Sequence, residues 1–312
     1  MRQKIAPLLD KLATGDGIRQ TVVDGVKIMR ASQPMSRKPV MYEPSIVIVG
    51  QGRKTGYLGD QVFRYDPDNY LVLSIPMPFE CETDIGEDGK PMLGVSIKVD
   101  LNMLADLLMK MEHKGGPNAE QSLLGMYATP LDERLSDAVV RLLECMQSPQ
   151  EARILGPQYC REIVFRVLLG EQGNALRALI AMNSRLGQIQ RAVAKMHSDY
   201  DKEMDVTELA GELGMSASAF HHNFKSITAT SPLQYLKTIR LHHARMFMVQ
   251  EGMGVKEAAE KVGYESASQF SREFKRFFGQ TPLVEANEHR QRLGISLSEV
   301  PALATAQTNM RI

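Results

Sequence analysis

From residue 40 to residue 99 the apolar positions come in short runs. SIVIVG (45–50), the RKTGYLGDQVFRYD stretch (53–66), NYLVLSI (69–75), PFECETD (78–84) and MLGVSIKV (92–99) are rich in Val, Ile, Leu, Tyr and Phe. Gly, Pro, Asp and Asn punctuate them, which predicts several short strands in an antiparallel barrel or sandwich. Residues 1–39 read as a mixed lead-in, a short helix with one or two strands around TVVDGVKIMRAS. After Asp100 the pattern takes a helical period. LNMLADLLMKMEHK (101–114) stops before Gly115-Gly116-Pro117, and residues 131–147, 151–170 and 174–200 read as amphipathic helices joined by short loops. From Asp205 onward everything reads as helix apart from turns, up to a flexible tail at 297–312.

The last third contains a repeat. In VGYESASQFSREFKRFFGQTP (262–282), Phe270, Phe274, Phe277 and Phe278 fall on one face of a helix, and Ser, Gln, Lys and Arg fill the other. Residues 206–232 carry the same unit. Ala210 matches Ala259 and Gly214 matches Gly263, each 49 residues on; Phe220, Phe224, Lys225 and Pro232 match Phe270, Phe274, Lys275 and Pro282, each 50 residues on. The unit reads helix, glycine turn, helix, with Ser216 or Ser266 as N-cap of the second helix. This is the grammar of a helix-turn-helix. Between the copies, Ser231 and Pro232 open a helix that runs to about Gln250. A helix of that length spans ~27 Å, of the order of the ~34 Å between successive major grooves.

Charge changes the picture only locally. Lys+Arg and Asp+Glu are balanced at 37 each, and residues 191–300 hold 14 basic and 14 acidic residues. No Asp or Glu lies between Gly214 and Gln250, where Lys225, Lys237, Arg240, Arg245, His221, His222, His242 and His243 gather. The expectation is a basic patch suited to phosphates rather than a basic domain. Three cysteines at no metal-site spacing suit a reducing cytoplasm. The opening MRQKIAPLLDKLATGDG lacks the apolar core of a secretory signal, and no run approaches a membrane span. A cytoplasmic chain with no membrane partner is expected.

The second copy, through Gly263-Tyr264, Ser268, Phe270, Ser271-Arg272, Phe274-Lys275, Phe278-Gly279 and Pro282, resembles the DNA-binding domain of the AraC/XylS family of bacterial transcription regulators. The stretch from Tyr42 to Glu82 is similar to the N-terminal sensor domain of one subgroup of that family, a cupin-like barrel. The resemblance implies an α+β chain: a sensor barrel over 1–112, a helical linker and dimerisation layer over 113–190, and an all-α tandem helix-turn-helix domain over 191–296. It places base-reading positions at Ser218, His221 and His222 in the first copy, and at Ala267, Ser268, Gln269, Ser271 and Arg272 in the second. Gln pairs bidentately with adenine and Arg with guanine; a phosphate contact is the other reading of Arg272. Many members carry Arg or Gln where this chain has His221 and His222, and histidine reads bases less decisively. Lys225, Lys237, Lys275 and Arg276 are assigned to phosphates, against a merely solvated face. The implied partners are double-stranded promoter DNA, RNA polymerase, a small-molecule effector and a second copy of the chain.

Within the barrel the first histidine of the chain is His113, after the last expected strand, so a His-based metal site there is excluded. No cofactor is expected. What remains is an apolar cup whose candidate lining is Ile46, Ile48, Leu71, Leu73, Phe79, Cys81, Val95 and Ile97. The alternating set that faces inward is not fixed by sequence, and a solid core is the competing reading. Cys81 reads as structural or as a sensor of electrophiles, with Glu80 and Glu82 opposing a reactive thiolate if close. Leu135, Val139, Leu142, Leu143 and Met146 share a face that packs on the barrel or dimerises. The sequence supports a ligand-responsive regulator in which no catalysis is implied. Its rivals are a cupin enzyme or suicide methyl-acceptor, for which the barrel histidines and the flanked cysteine are missing, and a DNA-binding module controlled by a protein partner.

Overall fold

The computed structural model describes residues 2–111, 124–171, 173–180 and 184–293. Helix α1 (Ile5–Leu12) precedes nine strands: β1 (Gly17–Gln20), β2 (Val26–Ala31), β3 (Met35–Tyr42), β4 (Ser45–Gln51), β5 (Arg53–Leu58), β6 (Gln61–Tyr65), β7 (Asn69–Leu73), β8 (Met77–Asp84) and β9 (Met92–Lys98). Helix α2 (Leu101–Lys110) follows, then β10 (Met126–Pro130), α3 (Glu133–Cys145), α4 (Pro149–Leu169), α5 (Gly173–Ile180) and α6 (Arg185–Ser198). The repeats supply α7 (Val206–Glu212), α8 (Ala217–Thr228), α9 (Pro232–Gln250), α10 (Val255–Lys261), α11 (Ala267–Phe278) and α12 (Pro282–Leu293). The expected tail at 297–312 and the breaker at 115–117 lie outside the described residues.

The strands form two antiparallel sheets, one ordered β1-β2-β9-β4-β7-β10 and the other β3-β8-β5-β6. Four features depart from the sequence reading. Residues 53–66 make a hairpin, turned at Gly59 (φ +58°), rather than one strand. Strand β3 extends further back than residue 40. Its MSRKPVMY sequence is half charged or polar and contains Pro39, which an edge strand tolerates because its outer backbone groups need no partner. Strand β10 falls in the expected helical layer, yet it pairs with β7 through Met126–Leu73 and Ala128–Leu71. The single helix expected over 174–200 is two, α5 and α6.

Register decides which side each strand residue faces, because partners directly opposite share a face. One row of the larger sheet runs Met126, Leu73, Ser45, Lys98, and the next Ala128, Leu71, Val47, Ser96. This face meets the second sheet: a Cβ on Gly56 would lie 3.1 Å from the Phe79 ring and 3.6 Å from Met126 Cε. The other face carries Ile46 opposite Ile97 and Ile48 opposite Val95. Helix α1 covers it, since a Cβ on Gly50 would lie 2.8 Å from Ile5 and 3.0 Å from Leu9. Both faces of β4 are therefore buried, which explains its unbroken apolar run. Leu135, Val139, Leu142 and Leu143 of α3, with Met146 just past its end, are buried within the chain, where α3 packs on α1 and α4.

The compact bodies do not separate at the expected boundary between residues 190 and 191. Met1–Ser198 and Met204–Leu236 cluster as one body; Asp199–Glu203 and the chain from Lys237 onward form the other. In the first body the first repeat packs directly on the sheets. Tyr235 Oη donates to the Pro76 carbonyl at 2.6 Å, and Gly125 N donates to the Ile227 carbonyl at 3.1 Å. Phe220, Phe224 and Tyr235 are fully buried there, the last two rings meeting edge-on at 5.3 Å. The core of the second body is Leu241, Phe247, Met248, Val262, Phe270, Phe274 and Phe278, with Ala258 and Ala259 at the close helix contacts. Truncating such a ring costs ~3–5 kcal/mol.

Candidate nucleic-acid interface and barrel interior

Each repeat builds its second helix the same way. The turn glycines have positive φ, +69° at Gly214 and +80° at Gly263. At Gly263 a Cβ would also lie 2.5 Å from the Asp201 carbonyl oxygen, so only glycine fits. Ser216 Oγ accepts from Ala219 N and Ser266 Oγ accepts from Gln269 N, both at 3.2 Å. These capped starts set the helix phase. With the phenylalanines inward, Ser218, His221, His222 and Lys225 of α8 are exposed, as are Ser268, Gln269, Arg272, Lys275 and Arg276 of α11. Ala267 and Ser271 are half-buried, and Ser271 Oγ donates to the Ala267 carbonyl at 2.9 Å. Arg272 and Lys275 have no side-chain hydrogen bond or ion pair among the described residues and point their charges to solvent.

The acid-free stretch is less basic than its sequence implied, because its counter-charges come from elsewhere in the chain. Lys237 Nζ lies 2.9 Å from Glu273 Oε1, so it is held in an ion pair rather than presented to phosphates. Tyr264 Oη donates to Glu273 Oε2 at 2.9 Å and Gln269 Nε2 donates to Oε1 at 3.2 Å. Burial alone would raise the Glu273 carboxyl, but the hydrogen bonds from Lys237, Gln269 and Tyr264 outweigh it and hold the group below its ordinary value. Arg240 donates to the carbonyls of Tyr200, Lys202 and Gly263. Arg245 pairs with Glu285 at 3.2 Å and lies over the Phe278 ring. His243 stacks on Tyr200 with ring centroids 3.9 Å apart, and burial lowers its pKa. His242 is buried edge-on against Phe277 and Phe278. The exposed cations on the two second helices reduce to Lys225, Arg272, Lys275 and Arg276. Glu273 was the residue missed by sequence reasoning. The signal was a single acid on an otherwise acid-free helix, four residues after a candidate base-reading glutamine.

The barrel interior divides the eight candidate lining residues. Leu71, Leu73, Phe79 and Cys81 face the space between the sheets. Ile46, Ile48, Val95 and Ile97 face α1 and its surroundings, where the core is solid; all eight are buried. Cys81 lies 3.4 Å from Tyr65 Oη. Glu80 and Glu82 lie on the opposite face of β8, paired with Arg37 and with the Tyr57 hydroxyl at 2.5 Å each. A cavity of about 390 Å³ opens beside this interior, with Met29, Met41, Tyr42, Ser45 and Ser96 in its wall.

Residues 22–175 match the model of the AraC-type transcriptional regulator N-terminus, and residues 209–285 match that of a helix-turn-helix domain. Over 95 residues the chain is 37% identical to the HTH-type transcriptional regulator AlkR of Acinetobacter baylyi, covering 30% of this chain and 31% of that protein. Over 157 residues it is 27% identical to the HTH-type transcriptional regulator ArgR of Pseudomonas aeruginosa, covering 49% and 47%. The chain thus spans less than half the length of these two curated relatives. Its fold is similar to that of wild-type ToxT from Vibrio cholerae with a bound unsaturated fatty acid, at a TM-score of 0.52 and 12% identity over 84% of this chain and 93% of that one. At that identity the likeness shows a shared α+β fold.

Proposed function

This chain belongs to the AraC-type transcriptional regulators, and from that premise we propose that it is a sequence-specific DNA-binding regulator whose barrel senses a small molecule. The observation that carries the reading is the outward display of Ser268, Gln269, Arg272 and Lys275 on one capped helix, with Ser218, His221, His222 and Lys225 repeated on another. Arg272 and Gln269 suit base edges, and Lys225, Lys275 and Arg276 suit phosphates. Lys237 supports the reading differently: through Glu273 it orients Gln269.

Sensing has two supports. The ToxT structure with its bound unsaturated fatty acid gives a precedent for a small molecule on the same fold. The Tyr235–Pro76 hydrogen bond ties the first repeat to the turn between β7 and β8, the strands that carry Leu71, Leu73, Phe79 and Cys81 to the interior. A ligand that binds one arrangement of these strands better than another shifts how the first repeat is held. RNA polymerase and a second copy of the chain complete the partners. With the α3 face occupied within the chain, a dimer contact would use α4, where Ile154 and Leu155 are exposed. A chain that reads promoter DNA would work in the cytoplasm. Among the described residues no helix is long and apolar enough to cross a membrane.

Sequencing of oligonucleotides selected by the purified protein is expected to yield a bipartite duplex motif. Recovery of unenriched sequence would reject the reading.

A further inference from the structure

Helix α11 holds one candidate base-reading side chain at both ends. Ser266 Oγ accepts from the Gln269 backbone N at 3.2 Å, and the Gln269 carboxamide reaches Glu273 Oε1, one turn on, at 3.2 Å. Glu273 is fixed in its turn. Lys237 Nζ of α9 donates to Oε1 and Tyr264 Oη donates to Oε2, each at 2.9 Å. The Glu273 side chain is only 13% exposed. The Tyr264 ring meets Phe270 edge-on at 5.3 Å, so the network is anchored in the core of its body.

This contact sets the polarity of the Gln269 amide. An ionised carboxylate only accepts hydrogen bonds. Burial opposes ionisation of Glu273, but the donors around it prevail. The amide atom facing it is therefore Nε2, with one of its two hydrogens committed. Gln269 is left with one N–H and with Oε1, which has no hydrogen bond among the described residues and belongs to an exposed side chain. In the major groove adenine presents an acceptor, N7, beside a donor, the N6 amine, whereas guanine presents two acceptors, N7 and O6. A freely rotating amide can turn both hydrogens toward guanine. Gln269 cannot while Glu273 holds one of them, and its Oε1 would be set against guanine O6. Cytosine and thymine each offer a single polar group there. Glu273 is not itself placed to read a cytosine amine, since its oxygens already serve three donors. Lys237 also neutralises a carboxylate that would otherwise repel phosphates beside the base-reading position.

We propose that Gln269 reads a single adenine, its Oε1 accepting from the N6 amine and its remaining N–H donating to N7, and that Glu273 is the positioning residue that makes adenine preferred over guanine. The inference rests on the DNA-reading proposal and names the base that one residue selects.

The test uses the full chain and oligonucleotides selected by the wild type, with Gln269→Ala, Glu273→Leu, Glu273→Ala and Gln269→Ala/Glu273→Leu beside it. Two substitutions at Glu273 guard against a fold defect in either, and cooperative unfolding verifies each variant. At one motif position the wild type is expected to favour adenine over guanine about tenfold or more, and Gln269→Ala to bring that ratio below about twofold. Each Glu273 variant should bring the same ratio to within about threefold while preferences at the other positions stay. In the Gln269→Ala background, Glu273→Leu should change the ratio no further. Replacing that adenine by 7-deazaadenine, which lacks the N7 acceptor, should weaken the wild type about fivefold or more and leave Gln269→Ala unmoved.

Glu273 variants that weaken every position alike with the adenine preference intact would reduce Glu273 to a structural role and overturn the proposal. So would a base other than adenine at the Gln269-dependent position, or wild-type tolerance of 7-deazaadenine. If a motif is enriched but Gln269→Ala keeps every base preference, the regulator reading stands and this inference falls. If the wild type enriches no motif, both fall.

Discussion

Position by position, α8 and α11 align 50 residues apart: Phe220 with Phe270, Phe224 with Phe274, Lys225 with Lys275. The buried positions repeat, and the exposed ones diverge. His222 stands where α11 has Arg272, Ser226 where it has Arg276, and Asn223 where it has Glu273. Glu273 draws Lys237, Tyr264 and Gln269 into one network, whereas among the described residues Asn223 Nδ2 reaches only Met215 Sδ at 4.0 Å. The helices also end differently: α11 stops at Gly279 (φ +82°) and α8 at Ala229 (φ +57°), the only non-glycine with positive φ among the described residues. A duplicated scaffold therefore carries one strongly cationic, pre-ordered face and one near-neutral face. Specificity and affinity for DNA should be divided unequally between them.

The sharpest break of this comparison is Arg272→Ala against His222→Ala. The first should cost ~1–3 kcal/mol of operator binding and relax preference at one base position, and the second less than ~1 kcal/mol. Fluorescence anisotropy with the selected operator and its single-base variants checks both. Equal losses would mean that the two faces read DNA alike.

Glu273→Gln tests the network. Loss of the carboxylate leaves Lys237 without its ion pair and should lower stability by ~1–2 kcal/mol, while Asn223→Ala should be nearly silent. The pH dependence has a definite sign. Because the folded-state pKa of Glu273 is depressed, its contribution is fully present above the ordinary glutamate value of 4.5 and is lost as pH falls through the lower folded value. Urea unfolding of wild type and Glu273→Gln should therefore differ most near neutrality and converge in acid.

The smallest effect concerns the helix ends. Gly279→Ala should destabilise by ~1–2 kcal/mol, because a Cβ is strained at positive φ. Ala229→Gly should stabilise by ~0.5–1 kcal/mol for the converse reason. Thermal unfolding midpoints moving in opposite directions would bear out the difference between the two ends.

Much of this molecule was legible in its sequence where the cause is local. The phenylalanine spacing, the serine caps and the turn glycines each act within a few residues, and each lies where its pattern placed it. The outward turn of Gln269 and Arg272 follows from the inward turn of Phe270 and Phe274, since one helix cannot bury both faces.

Legibility failed where the partner is distant in the chain. Lys237 read as a phosphate contact and Arg245 as part of a basic patch until Glu273 and Glu285 came beside them across about forty residues. Leu71 and Ile46 were indistinguishable as strings, and only the register of β4, β7 and β9 sends one to the interior and the other to α1. Strand β10 was hidden because five residues carry little periodicity until an open sheet edge at β7 recruits them. Lys54 of β5, only 8% exposed, gave no warning of burial. The sequence by itself determined two duplicated helices with exposed polar faces, their caps and a strand-rich N-terminal half, because these depend on periodicity and on backbone groups that nearby side chains satisfy. Tertiary structure alone decided which charges stay free, which strand face is interior, and that a lysine lies inside it, because pairing register and ion pairs are settled between segments that local pattern does not connect.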